Sequence, residues 1–119
     1  MGVAHNTAYL EWFELGRTEY CRHQGLPYKA IEERGHYLVV VEAFCRYKRP
    51  LRYDDSFVVL TSLRQITPKK VAFSYEVKIP GRTELIAEGY TVHIAVNRKG
   101  VVSPLPDDIL KRISAPLSA

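Results

Sequence analysis

Three side chains near the start of the chain could take part in proton transfer: His5, Glu11 and Glu14. The imidazole of His5 titrates near neutral pH, which suits it to orient water or a carboxylate and to carry a proton. A second interpretation, that His5 only lines a loop, stays open. Glu14, with Arg17 and Thr18 close behind it, is typical of pairing on a helix surface, and Glu11 is typical of a solvent-facing position. Both glutamates are therefore reserve candidates for a carboxylate role.

The two cysteines, Cys21 and Cys45, lack the neighbours that metal or redox chemistry needs. Neither belongs to a CxxC pair or to a His-rich segment, so we interpret both as buried thiols that pack as small apolar residues. The sequence also contains no metal-ligand constellation and no phosphate-cradling glycine loop. We expect no catalytic metal, no cofactor and no nucleotide hydrolysis site.

The first element predicted is a helix from Asn6 to about His23. Its apolar residues recur at three- and four-residue steps, which is the spacing of one helix face. These residues are Tyr9, Trp12, Phe13, Gly16 and Tyr20. Asn6 or Thr7 marks the start, and Gly25 marks the end. A glycine in mid-helix costs about 1 kcal/mol relative to alanine, so we expect Gly16 to lie close to a sheet.

The rest of the chain alternates between apolar and polar residues, which is the pattern of β-strands. We predict strands over 36–49, 56–66, 70–79 and 85–97, with the last continuing beyond Gly100 as Val101 and Val102. Short helices are predicted over 30–35 and 109–113, the latter capped by Asp107 and Asp108.

The first predicted strand carries apolar residues on both faces, so we expect it to be central in the sheet. Simple alternation puts Val39 on the same face as Ala43, and Val40 on the same face as Phe44. One helix followed by four or five strands in a meander indicates an α+β fold, with the helix against the concave face of a twisted antiparallel sheet.

Length and composition limit the remaining possibilities. The chain has 119 residues, 46% of them hydrophobic, which is enough for one domain spanning 1–119. No stretch reaches the roughly 18 apolar residues of a membrane-spanning helix, and no secretory signal is recognisable, so we expect a soluble cytoplasmic protein. The net charge of +4 and the pI near 9.1 favour anionic partners without choosing among them. The basic segment from Arg46 to Arg49 is too short by itself to indicate a nucleic-acid partner, and we expect none.

The order and spacing of several segments resemble a known family over essentially the whole chain. The segments are 1–9 (MGVAHNTAY), 10–19 (LEWFELGRTE), Tyr47 with Pro50, Leu51, Asp54 and Asp55, 90–93 (YTVH), Asn97, Gly100 and 104–106 (PLP). Together they are similar to hot-dog-fold acyl-CoA thioesterases of the 4-hydroxybenzoyl-CoA thioesterase family, and more narrowly to the short bacterial members called YbgC-like. The resemblance implies a hot-dog fold, hydrolysis of an acyl-CoA to a free acid and coenzyme A, and an acyl-CoA partner.

The sequence departs from this family at its start. The family carries an aspartate three residues before the glycine that matches Gly2, which places that aspartate two residues upstream of Met1. The family's first strand is missing as well. The resemblance thus implies a version that begins inside the motif, either through a misassigned or trimmed start or as a natural protein without the aspartate.

The resemblance assigns roles to several residues. The backbone N–H of Asn6 would polarise the thioester carbonyl, with His5 as the second catalytic candidate, and Tyr9 would contact the acyl group. Lys69 and Lys70 would bind the phosphates of coenzyme A, although a solvated turn is the competing interpretation. Residues with a lower claim to that role are Arg46, Lys48, Arg49 and Arg64. Trp12, Phe13 and His93 are expected to be structural.

Hot-dog subunits usually associate by continuing their sheets edge to edge, so we expect a homodimer or homotetramer with the active site between subunits. Two other functions remain open. One is a non-catalytic protein that binds acyl-CoA or an acyl carrier, which the missing aspartate favours. The other is a hot-dog dehydratase, for which no motif surrounds His5.

Overall fold

The computed structural model describes residues 6–49 and 56–116. Its elements, in chain order, are α1 (Asn6–His23), α2 (Tyr28–Glu33), β1 (Tyr37–Tyr47), β2 (Val58–Thr67), β3 (Lys70–Lys78), β4 (Leu85–Val96) and α3 (Asp107–Ser114). The α+β class and both ends of the predicted first helix are confirmed. In this part of the chain, no helix combines the length and the apolar character needed to cross a membrane.

The four strands form one antiparallel sheet in the order β1-β4-β3-β2, and α1 packs on one of its faces. We call this the helix-side face; it carries Phe73 and Tyr75 of β3. The ring of Phe13 stacks on Tyr75 with centroids 4.4 Å apart, and Tyr20 meets Phe73 edge-on at 5.5 Å. The apolar face of α1 therefore forms the packing contact between the helix and the sheet.

At Gly16, α1 lies directly against side chains of β2. A Cβ atom at this position would overlap the Oγ1 atom of Thr61 and lie 3.2 Å from Cγ1 of Val59. The predicted close approach of helix and sheet is confirmed, and it explains a glycine at a position where helix propensity alone disfavours it.

The predicted meander is only partly correct. Strands β2, β3 and β4 are consecutive neighbours, but β1 pairs with β4 rather than with β2. The prediction that the first strand is central is wrong, because β1 forms an edge of this sheet. Its valines are substantially exposed, Val39 by 46%, Val40 by 44% and Val41 by 57%. Apolar residues on both faces indicate burial, and residues 6–49 and 56–116 do not supply that burial on the outer side of β1.

A β-bulge also changes the face assignment within β1. The register with β4 shifts between Val40 and Glu42, so Val41 is an extra residue. Before the bulge, Val40 pairs with His93 on the helix-side face, and after it Ala43 pairs with Thr91 on the same face. The predicted grouping of Val40 with Phe44 is therefore wrong, since one inserted residue reverses the alternation.

The end of the chain also differs from the prediction. Strand β4 stops at Val96, the chain reverses, and Val102 forms an antiparallel bridge back to Val96 instead of prolonging the strand. Gly100, with φ of +77°, takes the left-handed conformation that this reversal requires. Asp107 and Asp108 lie in the first turn of α3 rather than before it, since the N-cap residue is Pro106.

Candidate functional site

The first turn of α1 is the described feature best suited to take part in a reaction. The N–H groups of a first helical turn have no intrahelical partner, and the helix dipole makes this end partly positive. Because α1 begins at Asn6, the amide of that residue is among these groups. His5, the other predicted catalytic residue, lies outside the described residues. The arrangement can stabilise negative charge that develops on an oxygen placed there.

An aromatic cluster supports this turn. Tyr9 is 2% exposed, and its ring meets Trp12 at 4.8 Å and Tyr47 at 4.7 Å. Trp12 in turn lies 4.1 Å from the ring of Phe57, just before β2. Tyr9 lies one helical turn after Asn6, and it therefore packs the start of α1 against the end of β1. Whether it also contacts an acyl group stays a prediction.

The tyrosine and cysteine side chains of this cluster are neutral near pH 7. Burial, and then the nearby Cys45 thiol, raise the pKa of Tyr9 above its usual value. Burial likewise raises the pKa of Cys45, and burial with the Cys45 contact raises that of Tyr47. The carboxylates of Glu11 and Glu14 are on exposed residues. The described side chains here supply an apolar support but no activated thiolate or phenolate.

The two cysteines differ in burial. Cys21 is fully buried, and desolvation raises the pKa of its thiol to about 12. This confirms the prediction of a buried thiol at that position. Cys45 is only half-buried and packs against the edge of the core, so the prediction of a buried thiol is only partly correct there. It lies in β1, which is an edge strand of the sheet formed by the described residues.

An apolar groove runs between α1 and β2, beside the free edge of the sheet. It encloses about 460 Å³ and is lined mainly by Trp12, Leu15, Gly16, Tyr20, Phe57 and Val59. Sequence reasoning treated Trp12 as packing and did not identify Leu15 or Val59. The glycine at position 16 was the one available signal, since it showed where helix and sheet come together.

The predicted phosphate-binding residues lie at the other end of the sheet. Lys69 is in the turn after β2, and Lys70 begins β3 opposite Ile94 of β4. The Tyr9 cluster instead adjoins Tyr47, which pairs with Ala87 at the start of β4. Seven residues of extended strand separate these positions, or about 23 Å. A single chain does not bring the two lysines to the start of α1.

The other basic candidates fall into two groups. Lys48 and Arg49 form ion pairs, with Glu88 at 3.4 Å and Glu84 at 3.3 Å respectively. Arg46 and Arg64 instead lie over aromatic rings. Ion-paired side chains are less available to an external phosphate than unpaired ones.

His93 belongs to a buried polar network beneath α1. The Tyr75 hydroxyl lies 2.6 Å from Oγ1 of Thr91, which lies 2.9 Å from Nε2 of His93. Arg17, on α1, is only 8% exposed and adds positive charge to the same region. Burial first, and the Arg17 charge second, lower the pKa of His93 to about 4. The imidazole is therefore neutral at physiological pH, as a structural role requires.

This network predicts a specific loss of stability in acid. The folded-state pKa of His93 lies below the unfolded value of 6.5, so the unfolded chain takes up the proton first as pH falls. The contribution is complete above about pH 6.5 and is lost toward about pH 4, a change of roughly 3 kcal/mol. Urea unfolding at both pH values should show that loss in the parent chain and a smaller one in His93→Gln. The exposed His23→Gln is the control, and an undiminished loss in His93→Gln would contradict the assignment.

The sequence and the fold of the chain are both similar to those of known proteins. The sequence model of the Thioesterase-like superfamily matches residues 1–113. The chain is 33% identical to a putative esterase of Aquifex aeolicus, over 92% of this chain and 84% of that protein. It is 31% identical to the putative acyl-CoA thioesterase YneP of Bacillus subtilis, over 83% and 71% of the two chains. The crystal structure of a hypothetical protein from Aquifex aeolicus superposes with a TM-score of 0.87 at 32% identity, covering 95% of this chain and 87% of that one.

Proposed function

Since the chain belongs to the Thioesterase-like superfamily, we propose that it hydrolyses an acyl-CoA thioester to a free acid and coenzyme A. The observation that carries the proposal is the start of α1 at Asn6, directly above the aromatic cluster around Tyr9. The YbgC-like subfamily and a cytoplasmic location are part of the same proposal.

The proposed reaction uses the first turn of α1 as an oxyanion site. Water adds to the thioester carbonyl, and the oxygen that becomes negative accepts a hydrogen bond from the Asn6 N–H. The C–S bond then breaks, the acid is released, and the thiolate of coenzyme A takes a proton. His5 is the proposed carrier of the proton lost by water. The apolar rings of Tyr9 and Trp12 below the turn lower the local dielectric and strengthen the amide contact.

Two copies of the chain are needed to complete this site. Along the strands, the aromatic cluster around Tyr9 and the Lys69–Lys70 turn of one chain lie about 23 Å apart, at opposite ends of the sheet. A two-fold antiparallel pairing of β1 edges reverses strand direction, so the partner's lysine turn comes to the end of the sheet where α1 starts. The exposed valines of β1 support such pairing. We therefore propose a homodimer, or a homotetramer built from it, with the active site between subunits.

The groove between α1 and β2 suggests where the family's first strand would pack. It combines an apolar surface with the free edge of β2, which is what an additional strand would cover. The family's first strand is the proposed occupant. A chain extended upstream of Met1 by its genomic reading frame is therefore the natural second sample in every activity test.

A second candidate function is binding of acyl-CoA, or of an acyl carrier, without hydrolysis. The raised pKa values of Tyr9, Cys45 and Tyr47 favour it, because they leave this cluster without an anionic nucleophile near pH 7. Binding needs the helix amide and the basic turn but no general base.

The test is release of free thiol from short, long and aromatic acyl-CoAs by the chain as given and by the upstream-extended chain. Binding of a non-hydrolysable thioether analogue is measured in the same samples. Thiol release by either form supports the hydrolase. Activity only in the extended form assigns the base to the family aspartate. Analogue binding with no thiol release by either form supports the second candidate, a protein that binds acyl-CoA without hydrolysing it.

A further inference from the structure

The face of the sheet opposite α1 contains a second concavity, of about 620 Å³. We call this the outer face. One row of paired residues crosses it from strand to strand: Ser62, Ser74, Tyr90 and Phe44. The two serines are small and form the floor, while the two aromatic rings stand beside them. A neighbouring row places Glu76, Glu88 and Arg46 along one side.

Two arginines and two aromatic rings form a continuous stack across this concavity. The guanidinium carbon of Arg64 lies 4.1 Å from the ring centroid of Tyr90. Tyr90 stacks with Phe44 at 5.4 Å and 21° between planes, and Arg46 lies 5.8 Å from the Phe44 centroid. Arg64 occupies the register shift of β2 between Leu63 and Gln65. A bulge can re-aim a side chain, which accounts for its reach over Ser74 to Tyr90.

The charges around the stack leave the arginine donors available. Glu88 pairs with Lys48 at 3.4 Å, Glu76 lies 4.0 Å from Lys78, and Glu42 accepts a hydrogen bond from the Tyr90 hydroxyl at 3.3 Å. Within residues 6–49 and 56–116, no carboxylate lies within 4.0 Å of the side-chain nitrogens of Arg46 or Arg64. Unpaired guanidinium groups are the side chains best suited to binding phosphate with two parallel hydrogen bonds.

We propose that this concavity binds a mononucleotide, with the base against the Arg64–Tyr90 stack and the phosphates on Arg46 and Arg64. Stacking of a base on an aromatic or guanidinium plane requires the flat surface that these residues present. The carboxylates of Glu42, Glu76 and Glu88 border the site and disfavour a long polyanion, so a single nucleotide fits better than a nucleic-acid strand. The site lies on the opposite face from α1 and is separate from the proposed oxyanion site.

Adenosine diphosphate is the probe, because it carries a purine and two phosphates, and binding is measured by isothermal titration calorimetry. We expect saturable binding to the parent chain. Arg64→Gln and Arg46→Gln should each weaken it about tenfold. Tyr90→Leu should weaken it about tenfold and Tyr90→Phe far less, because phenylalanine keeps the ring face on which Arg64 lies. Lys111→Gln, an equal loss of charge on α3, is the matched control and should bind like the parent.

Two results would overturn the proposal. The first is no binding at millimolar adenosine diphosphate, and the second is unchanged affinity in the double variant Arg46→Gln/Arg64→Gln. If the sedimentation of that variant changes while its affinity does not, the outer face is a contact between copies instead. Coenzyme A is titrated in parallel. If it competes with adenosine diphosphate, the ligand of the site is the nucleotide portion of coenzyme A. If the two bind independently, the ligand is a free nucleotide. Since no step requires turnover, failure here is distinct from failure of the proposed hydrolysis.

Discussion

Replacing Asn6 by proline is expected to lower kcat/KM for thioester hydrolysis about 100- to 1000-fold, the usual effect of losing one oxyanion donor. Proline lacks the backbone N–H, and this N–H is the group proposed to hold the oxyanion. The first turn of a helix tolerates proline, because its N–H groups have no intrahelical partners there and the fixed φ suits the helix. The loss should therefore appear in activity, with little change in the midpoint of urea unfolding. The measurement is thiol release by whichever form of the chain is active.

Two further variants separate the amide from other effects at this position. Asn6→Ala keeps the N–H and removes only the side chain, so it should retain most of the activity. Ala8→Pro puts the same ring two residues later in the first turn, where the residue restricted by the ring is Thr7 and not Asn6. Near-parent activity in Asn6→Pro, or an equal loss in Ala8→Pro, would mean that the Asn6 amide is not the oxyanion donor.

The parts of the fold that sequence reasoning predicted correctly depend on local rules. The bounds of α1 follow from its periodic aromatic residues and from Gly25, and the contact at Gly16 follows from the unfavourable energy of a mid-helix glycine. The position of β1 does not follow from such rules. Its apolar pattern is the same whether its second neighbour is β2 or another chain, and the bulge at Val41 has no sequence signature comparable to a turn glycine.

The candidate site was predictable only one residue at a time. Asn6 at the start of α1 is a local prediction, and the helix bounds agree with it. That Lys69 and Lys70 lie at the far end of the sheet depends on how β3 pairs with β4, which the sequence alone did not reveal. The stack on the outer face was missed for the same reason. Phe44 and Tyr90 are far apart along the chain, and only the pairing of β1 with β4 makes them neighbours.

Replacing Val41 by lysine is expected to convert the protein to a monomer and to lower thioester hydrolysis about tenfold or more, since the proposed site lies between subunits. Val41 is the bulged residue of the free β1 edge and is 57% exposed. Two-fold pairing of β1 edges would bring two such lysines close together, where like charges repel. Within one chain the change is mild, because the lysine reaches solvent. Sedimentation velocity and thiol release should therefore change together, while urea unfolding of the isolated monomer stays cooperative.

Val101 provides a matched control, because it is also 57% exposed but lies after β4, away from the β1 edge. Val101→Lys should keep the parent sedimentation coefficient and the parent rate. A monomeric Val41→Lys that retains full activity would place the whole catalytic site within one chain, and the distance between Asn6 and the Lys69–Lys70 turn would then exclude those lysines from substrate binding. A dimeric Val41→Lys with full activity would instead move the subunit contact away from β1. Only joint loss of assembly and activity, with Val101→Lys unaffected, agrees with a site that two chains complete.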